Sequence, residues 1–145
     1  MQLGKDIAAV VTGGASGLGG ATARALAGKG VKVAIFDVNA DAGEKHAKDI
    51  GGLYVKCDVT SEQSVDAALA AARKANGQER ILVNCAGIGV AKRISRRVKE
   101  TNAIEPHDLA TFTKVIQVNL IGTFLMMAKS AIGMQAAKPV NEDPS

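Results

Sequence analysis

Ile7-Ala8-Ala9-Val10-Val11-Thr12-Gly13-Gly14-Ala15-Ser16-Gly17-Leu18-Gly19 is the stretch that decides the fold of this 145-residue chain. A short apolar run turns at Thr12 into a glycine-rich bend, and the bend opens a helix. Glycines let the backbone turn tightly and approach a ligand that any Cβ would push away. The helix that follows aims unpaired N–H groups and its positive dipole end at an anion, so the bend is suited to a phosphate. With 16 glycines in the chain the motif alone is weak, but a strand before it and a helix after it give it weight. Asp37 stands 18 residues beyond Gly19, at the end of a second apolar run, where a carboxylate can accept both hydroxyls of an adenosine ribose. The alternative for Asp37 is a cap or turn residue ahead of Asn39. A carboxylate there repels a 2′-phosphate. No arginine follows Asp37, and Ser16 rather than a basic residue precedes Gly17, so NAD is expected over NADP.

Outward from this stretch, apolar runs alternate with helix-period segments, the pattern of strand-helix-strand units in a parallel sheet. Ile7–Thr12, Val31–Phe36, Leu53–Cys57 and Ile81–Asn84 are rich in Val and Ile and apolar on both faces, as covered parallel strands must be. Gly17–Gly30, Ala40–Ile50, Ser61–Asn76 and Asp108–Gly133 suit helices, the third with a Thr60/Gln63 capping box. The expected fold class is α/β, a Rossmann-type doubly wound sheet of four strands ordered 3-2-1-4, incomplete relative to larger sheets of this type. A ligand crevice is expected above Gly13 and Asn84, where the winding reverses. Residues 1–135 read as one dinucleotide-binding domain. Residues 136–145, with Pro139 and Pro144 among polar residues, read as a disordered tail or a loop cut short.

Composition narrows the partners. The net charge of +4 is mild and the four aromatics, Phe36, Tyr54, Phe112 and Phe124, do not interleave with basic residues, so nucleic acid is not expected. Between the fourth strand and the last helix, Val90–His107 carries Lys92, Arg93, Arg96, Arg97 and Lys99 without apolar period. It is expected as an exposed loop or short helix, either plain solvated surface or a site for a phosphate-bearing substrate. Cys57 and Cys85 have neither metal-ligand spacing nor a disulfide framework, which fits a reducing, intracellular, cytoplasmic setting and no metal. The apolar run Val115–Met127 is broken by Gln117 and Asn119, and no apolar signal core opens the chain, so no membrane span is expected.

Two other chemistries fail on the same residues. A P-loop needs Lys-Ser/Thr after its second glycine, and Gly19 is followed by Gly20-Ala21. A hydrolase elbow needs glycine two residues after its serine, and Ser16 is followed by Gly17-Leu18.

Thr12-Gly-x-x-x-Gly-x-Gly19, Asp37, Asp58-Val59, Asn84-Cys85-Ala86-Gly87 and Asn119 stand together in the order and spacing of the short-chain dehydrogenase/reductase family, which the chain resembles over almost its whole length. Val83-Asn84-Cys85-Ala86-Gly87-Ile88, with the basic insertion after it, resembles the 3-hydroxyacyl-CoA dehydrogenase type-2 branch. The resemblance implies that Gly13, Ser16, Gly17, Leu18 and Gly19 approach the pyrophosphate and nicotinamide side of NAD. It places Asp37 on the adenosine ribose, Asp58 and Val59 beside adenine, and Asn84, Cys85, Ala86 and Gly87 along the cofactor ribose. On the residues alone Asp58 is equally a turn residue ahead of Thr60, and Cys85 equally a packed small hydrophobe. Asn119 lies among Val115, Ile116, Val118, Leu120, Ile121 and Phe124, with little room for solvent expected on either face. Its amide either bonds a neighbouring strand or, as the resemblance implies for the catalytic set, holds a water that relays protons from a lysine.

In that family a serine and a Tyr-x-x-x-Lys pair move the substrate proton while NAD carries the hydride. Tyr54 is the only tyrosine of this sequence, and Asp58, not lysine, stands four residues on. The expected function is therefore the NAD-binding portion of an oxidoreductase acting on a secondary alcohol or a 3-hydroxyacyl-CoA when the serine, tyrosine and lysine are supplied from elsewhere. The alternatives are a noncatalytic NAD-binding module and a protein-interaction module. An apolar edge at the fourth strand and a last helix apolar nearly all round point to a homo-oligomer or a complementing chain.

Overall fold

The computed structural model describes residues 2–140, so the last half of the expected tail lies outside the described residues. β1 (Ala8–Thr12), β2 (Lys32–Asp37), β3 (Leu53–Lys56) and β4 (Glu79–Asn84) form one parallel sheet in the order β3-β2-β1-β4. The crossovers are α1 (Gly17–Ala27), α2 (Ala40–Ile50) and α3 (Glu62–Asn76). This is the doubly wound α/β order that the apolar runs imply.

Strand alternation divides the core in two. Val10, Ala34 and Phe36 point to one face and pack with Val65, Leu69 and Met126. Ala9, Val11, Val33 and Ile35 point to the other and pack with Ala23 and Ala47. Each fully buried Val or Ile contributes about 1.5–3 kcal/mol, so a polar residue on either face of β1 or β2 would cost a large share of a small domain's stability.

Boundaries shift for local reasons. α1 stops at Ala27 because Gly28–Gly30 turn the chain, Gly30 with φ +82°. The α3 cap is Ser61, whose Oγ accepts from Ser64 N. Thr60 is not the cap: its hydroxyl donates to Asp58 Oδ1 at 2.7 Å and is thereby consumed. β4 begins at Glu79, two residues before its apolar run. The Glu79 carboxylate is buried, accepting from Arg73 Nε at 2.9 Å, Arg73 Nη2 at 2.7 Å and Ser130 Oγ at 2.8 Å. Burial pushes this carboxyl up, but the Arg73 and Ser130 donors outweigh it and hold it below its ordinary value.

Val90–His107 is neither helix nor plain loop. It folds back as an antiparallel hairpin, β5 (Ser95–Arg97) with β6 (Ile104–Pro106). Asn102 sits at φ +56° in the turn, and Arg97 Nη1 donates to its carbonyl at 2.9 Å.

The last helix runs from Leu109 to Ala136 as α4 (Leu109–Ile116), a π-helical turn (Gln117–Gly122) and α5 (Thr123–Ala136). Asp108 caps it by accepting from Thr111 N at 2.8 Å. The Lys92 ammonium beside Asp108 holds its carboxyl well below the carboxylate range. Met126 and Ser130 are buried, whereas Leu109, Phe112, Leu120, Ile121, Phe124 and Ile132 are exposed. At 28 residues this helix meets the length and composition needed to cross a bilayer. Gln117 and Asn119 do not lower the average enough to fail that test, which a helix of a non-membrane protein can equally meet.

Candidate functional site

A cleft of about 880 Å³ opens over the C-terminal ends of β1 and β4, where the winding of the sheet reverses, the switch point of a doubly wound sheet. That volume suits a small-molecule ligand. Of the residues singled out from the sequence, Gly13, Ser16, Gly17, Leu18, Gly19, Asp37, Asp58, Val59, Cys85, Ala86 and Gly87 line it. Asn84 and Asn119 do not line it.

The floor is set by β1 and β4 running side by side into their loops. Gly13 has φ +61°, and a Cβ there would lie 2.7 Å from Ala86 N and Cys85 O. A Cβ on Gly19 would collide with the Gly13 carbonyl. The two loops therefore pass at glycine distance. Thr12, buried beneath them, clamps the pair: its Oγ1 accepts from Cys85 N at 3.2 Å and Ala86 N at 3.1 Å and faces Asn84 Oδ1 at 3.5 Å. α1 begins with Ser16 at its N-cap and no side chain closing the first turn, so the N–H groups at Gly17–Gly19 meet the cleft uncapped.

Asp37 closes β2 with both carboxylate oxygens engaged, Oδ2 accepting from Ala15 N at 3.1 Å and Oδ1 from Asn39 N at 3.0 Å. The helix cap is Asn39, which accepts from Ala42 N. Asp37 thus ties the glycine-rich loop to the start of α2 while lining the cleft. Asp58 Oδ1 accepts from Thr60 N and Thr60 Oγ1, so it is a turn residue, and it also lines the cleft. Cys57 is buried at the same wall, and burial pushes its thiol up to about 11, which keeps it protonated and inert at neutral pH.

Asn119 sits in the π-helical turn and is more exposed than its apolar neighbours imply, because no further layer of the described residues covers the outer side of this helix. Both ends of its amide are bonded all the same. Oδ1 accepts from Ile88 N and Nδ2 donates to Ile88 O, both at 2.9 Å. Thr123 Oγ1 donates to Asn119 O at 2.8 Å. Gly122 lets the turn settle on Val59, whose Cγ2 would be 2.6 Å from a Cβ there. Side-chain bonds of this kind accompany wide helical turns, which are frequent at functional sites.

Sequence reasoning missed three contributors. Thr12 reads in the sequence as part of the glycine motif alone, though a buried hydroxyl at a strand end signals a backbone clamp. Lys114 and Gln117 reach the cleft from the last helix, and nothing local marks them. A second hollow of about 470 Å³ is lined by Lys92, Arg93, Arg96, Glu105, His107 and Asp108 at the hairpin. There Lys92 pairs with Asp108 at 2.6 Å and Arg96 with Glu105 at 3.8 Å. Both pairs are exposed and each contributes little to stability.

The chain belongs to the short-chain dehydrogenase family, whose model matches residues 7–139. It is similar to the 3-hydroxyacyl-CoA dehydrogenase type-2 of Rattus norvegicus, 45% identical over 122 residues that cover 83% of this chain and 45% of that protein. The Drosophila melanogaster protein of the same name is 40% identical over 141 residues, covering 96% and 53%. The mitochondrial borneol dehydrogenase of Lavandula x intermedia is 37% identical over 117 residues, covering 81% and 42%. The chain spans about half the length of the curated relatives it matches.

Proposed function

We propose that this chain forms the NAD-binding part of a short-chain dehydrogenase that oxidises a secondary alcohol, with a 3-hydroxyacyl-CoA as the favoured substrate class. The observation that carries the reading is the cleft itself, where an uncapped helix start, a loop pair at glycine distance and the Asp37 carboxylate converge. The N–H groups of Gly17–Gly19 would hold the diphosphate, Asp37 the adenosine ribose, and Asp58 and Val59 the adenine. Asn84 to Gly87 would run along the second ribose. NAD, when bound, supplies the hydride acceptor. Asn119 holds the Ile88 loop in place, and a proton-relay role for it would need a lysine partner.

The serine and Tyr-x-x-x-Lys that move the substrate proton are not among these residues. Turnover accordingly depends on groups supplied from elsewhere, by further sequence or by another chain, and the uncovered helix and β4 edge favour association. The similarity to 3-hydroxyacyl-CoA dehydrogenases supports the substrate class, and the basic hairpin offers charge for a CoA phosphate. The thiol pair suits a reducing compartment such as the cytoplasm. A second reading, dinucleotide binding without turnover, is favoured by Tyr54: its hydroxyl is committed to the Asp37 carbonyl at 3.0 Å rather than free for substrate. Titrating the chain with NADH by calorimetry tests the shared core of both readings. Saturable one-site binding supports them, and folded protein with no heat of association ends them. Added 3-hydroxyacyl-CoA and NAD then separate the two once the serine, tyrosine and lysine are supplied by a longer or complementing chain: formation of NADH supports the first reading, and none supports the second.

A further inference from the structure

Tyr54 is the one aromatic of β3, and its ring lies against the first half of α2. A Cβ on Gly43 would overlap the ring carbons Cδ2 and Cε2. Glycine inside a helix costs about 1 kcal/mol relative to alanine, so helix propensity is given up at Gly43 to seat this ring. A phenylalanine would fill the same space. What the tyrosine adds is its hydroxyl, which donates to the Asp37 carbonyl at 3.0 Å. That carbonyl also accepts from Cys57 N at 3.1 Å in continuation of the β2–β3 ladder. Burial, with the charges of Asp37 and Glu44, raises the phenol above its ordinary value, so it remains a donor throughout the neutral range.

We infer that Tyr54 is a positioning residue for Asp37: its hydroxyl fixes the backbone at the end of β2, so that the carboxylate spans Ala15 N and Asn39 N while facing the cleft, and thereby sharpens the choice of a ribose 2′-hydroxyl over a 2′-phosphate. The chain of contacts is continuous. The phenol holds the carbonyl of Asp37, and the carboxylate of the same residue holds the glycine-rich loop on one oxygen and the α2 start on the other. Releasing the carbonyl loosens the peptide next to the carboxylate without touching any ligand-facing atom. The carboxylate then has more orientations to lose on binding, a cost that falls on a ribose gripped by it and not on a phosphate it repels.

This rests on the dinucleotide reading above, and the test separates the two. Wild-type chain, Tyr54→Phe, Asp37→Ala and the double variant are titrated with NADH and with NADPH, each alongside a thermal melt. The expected result is a Kd for NADH raised about 2–10-fold in Tyr54→Phe, the worth of one neutral hydrogen bond, with NADPH changed less than about twofold. In the Asp37→Ala background the same substitution should change neither. Equal losses for both nucleotides, an equal effect in both backgrounds, or an unfolded Tyr54→Phe would mark the hydroxyl as merely structural and overturn the inference. Wild-type affinity in Tyr54→Phe overturns it and leaves the cofactor reading intact. Failure of the wild type to bind NADH removes both.

Discussion

Thr12→Val replaces a hydroxyl by a methyl of the same shape at the point where β1 and β4 deliver their loops to the cleft. The hydroxyl oxygen accepts from Cys85 N and Ala86 N. Cys85 N keeps a second acceptor in the Thr12 carbonyl at 3.1 Å, whereas Ala86 N has no other among the described residues. The substitution thus orphans one partly buried N–H, which costs about 1–2 kcal/mol, the lower part of the range for such groups. At this chain length each kcal/mol moves the melting midpoint by about 3–4 °C, so the expected loss is about 3–8 °C. Amide exchange reads the cause directly. Protection at Ala86 should fall by about 5–30-fold in Thr12→Val and survive in Thr12→Ser, which keeps the oxygen while losing a buried methyl. Retained Ala86 protection in Thr12→Val, whatever the melt does, would refute the clamp.

Asp37→Ala should weaken NADH binding by about 10–100-fold, two hydrogen bonds to a charged acceptor at a half-exposed site, with NADPH less affected because a repulsive charge is gone; unchanged NADH affinity by calorimetry removes Asp37 from the site. Glu79→Gln puts an amide against the Arg73 and Ser130 donors and should cost about 2–3 kcal/mol at pH 7 in urea unfolding. Because the folded carboxyl lies below its ordinary 4.5, that stabilisation is complete above about pH 4.5 and drains away as the pH falls through the lower folded value, so the gap between wild type and variant should narrow only there. A gap constant with pH would contradict the ion pair. Phe124→Asp, on the exposed side of α5, should shift sedimentation towards monomer if that face is an association surface, and an unaltered profile with wild-type self-association would place the contact elsewhere.

The sheet and the cleft were legible because their signals are local. Buried parallel strands must be apolar on both faces, so Val31–Phe36 and its neighbours stand out as runs. A loop that passes its neighbours this closely needs glycines at Gly13 and Gly19 for reasons of contact. What stayed hidden depends on partners distant in sequence or on layers that one dimension does not contain. Thr60 and Ser61 are both competent caps, and the choice falls to Ser61 only because Asp58 takes the Thr60 hydroxyl. The hairpin β5–β6 has no apolar period to announce it, since both its faces are exposed and its order comes from backbone pairing and the Arg97–Asn102 contact. Asn119 shows the limit most clearly. Its apolar neighbours predict burial, but a helix face is buried only where something covers it, and here Leu120, Ile121 and Phe124 face outward. The amide nevertheless finds Ile88, 31 residues away, and through it the same helix that offers an apolar surface to a partner also holds the loop edging the cleft. An association on that face would therefore bear directly on the geometry of the site, because the exposed helix face and the loop edging the cleft are joined through the Asn119–Ile88 bonds.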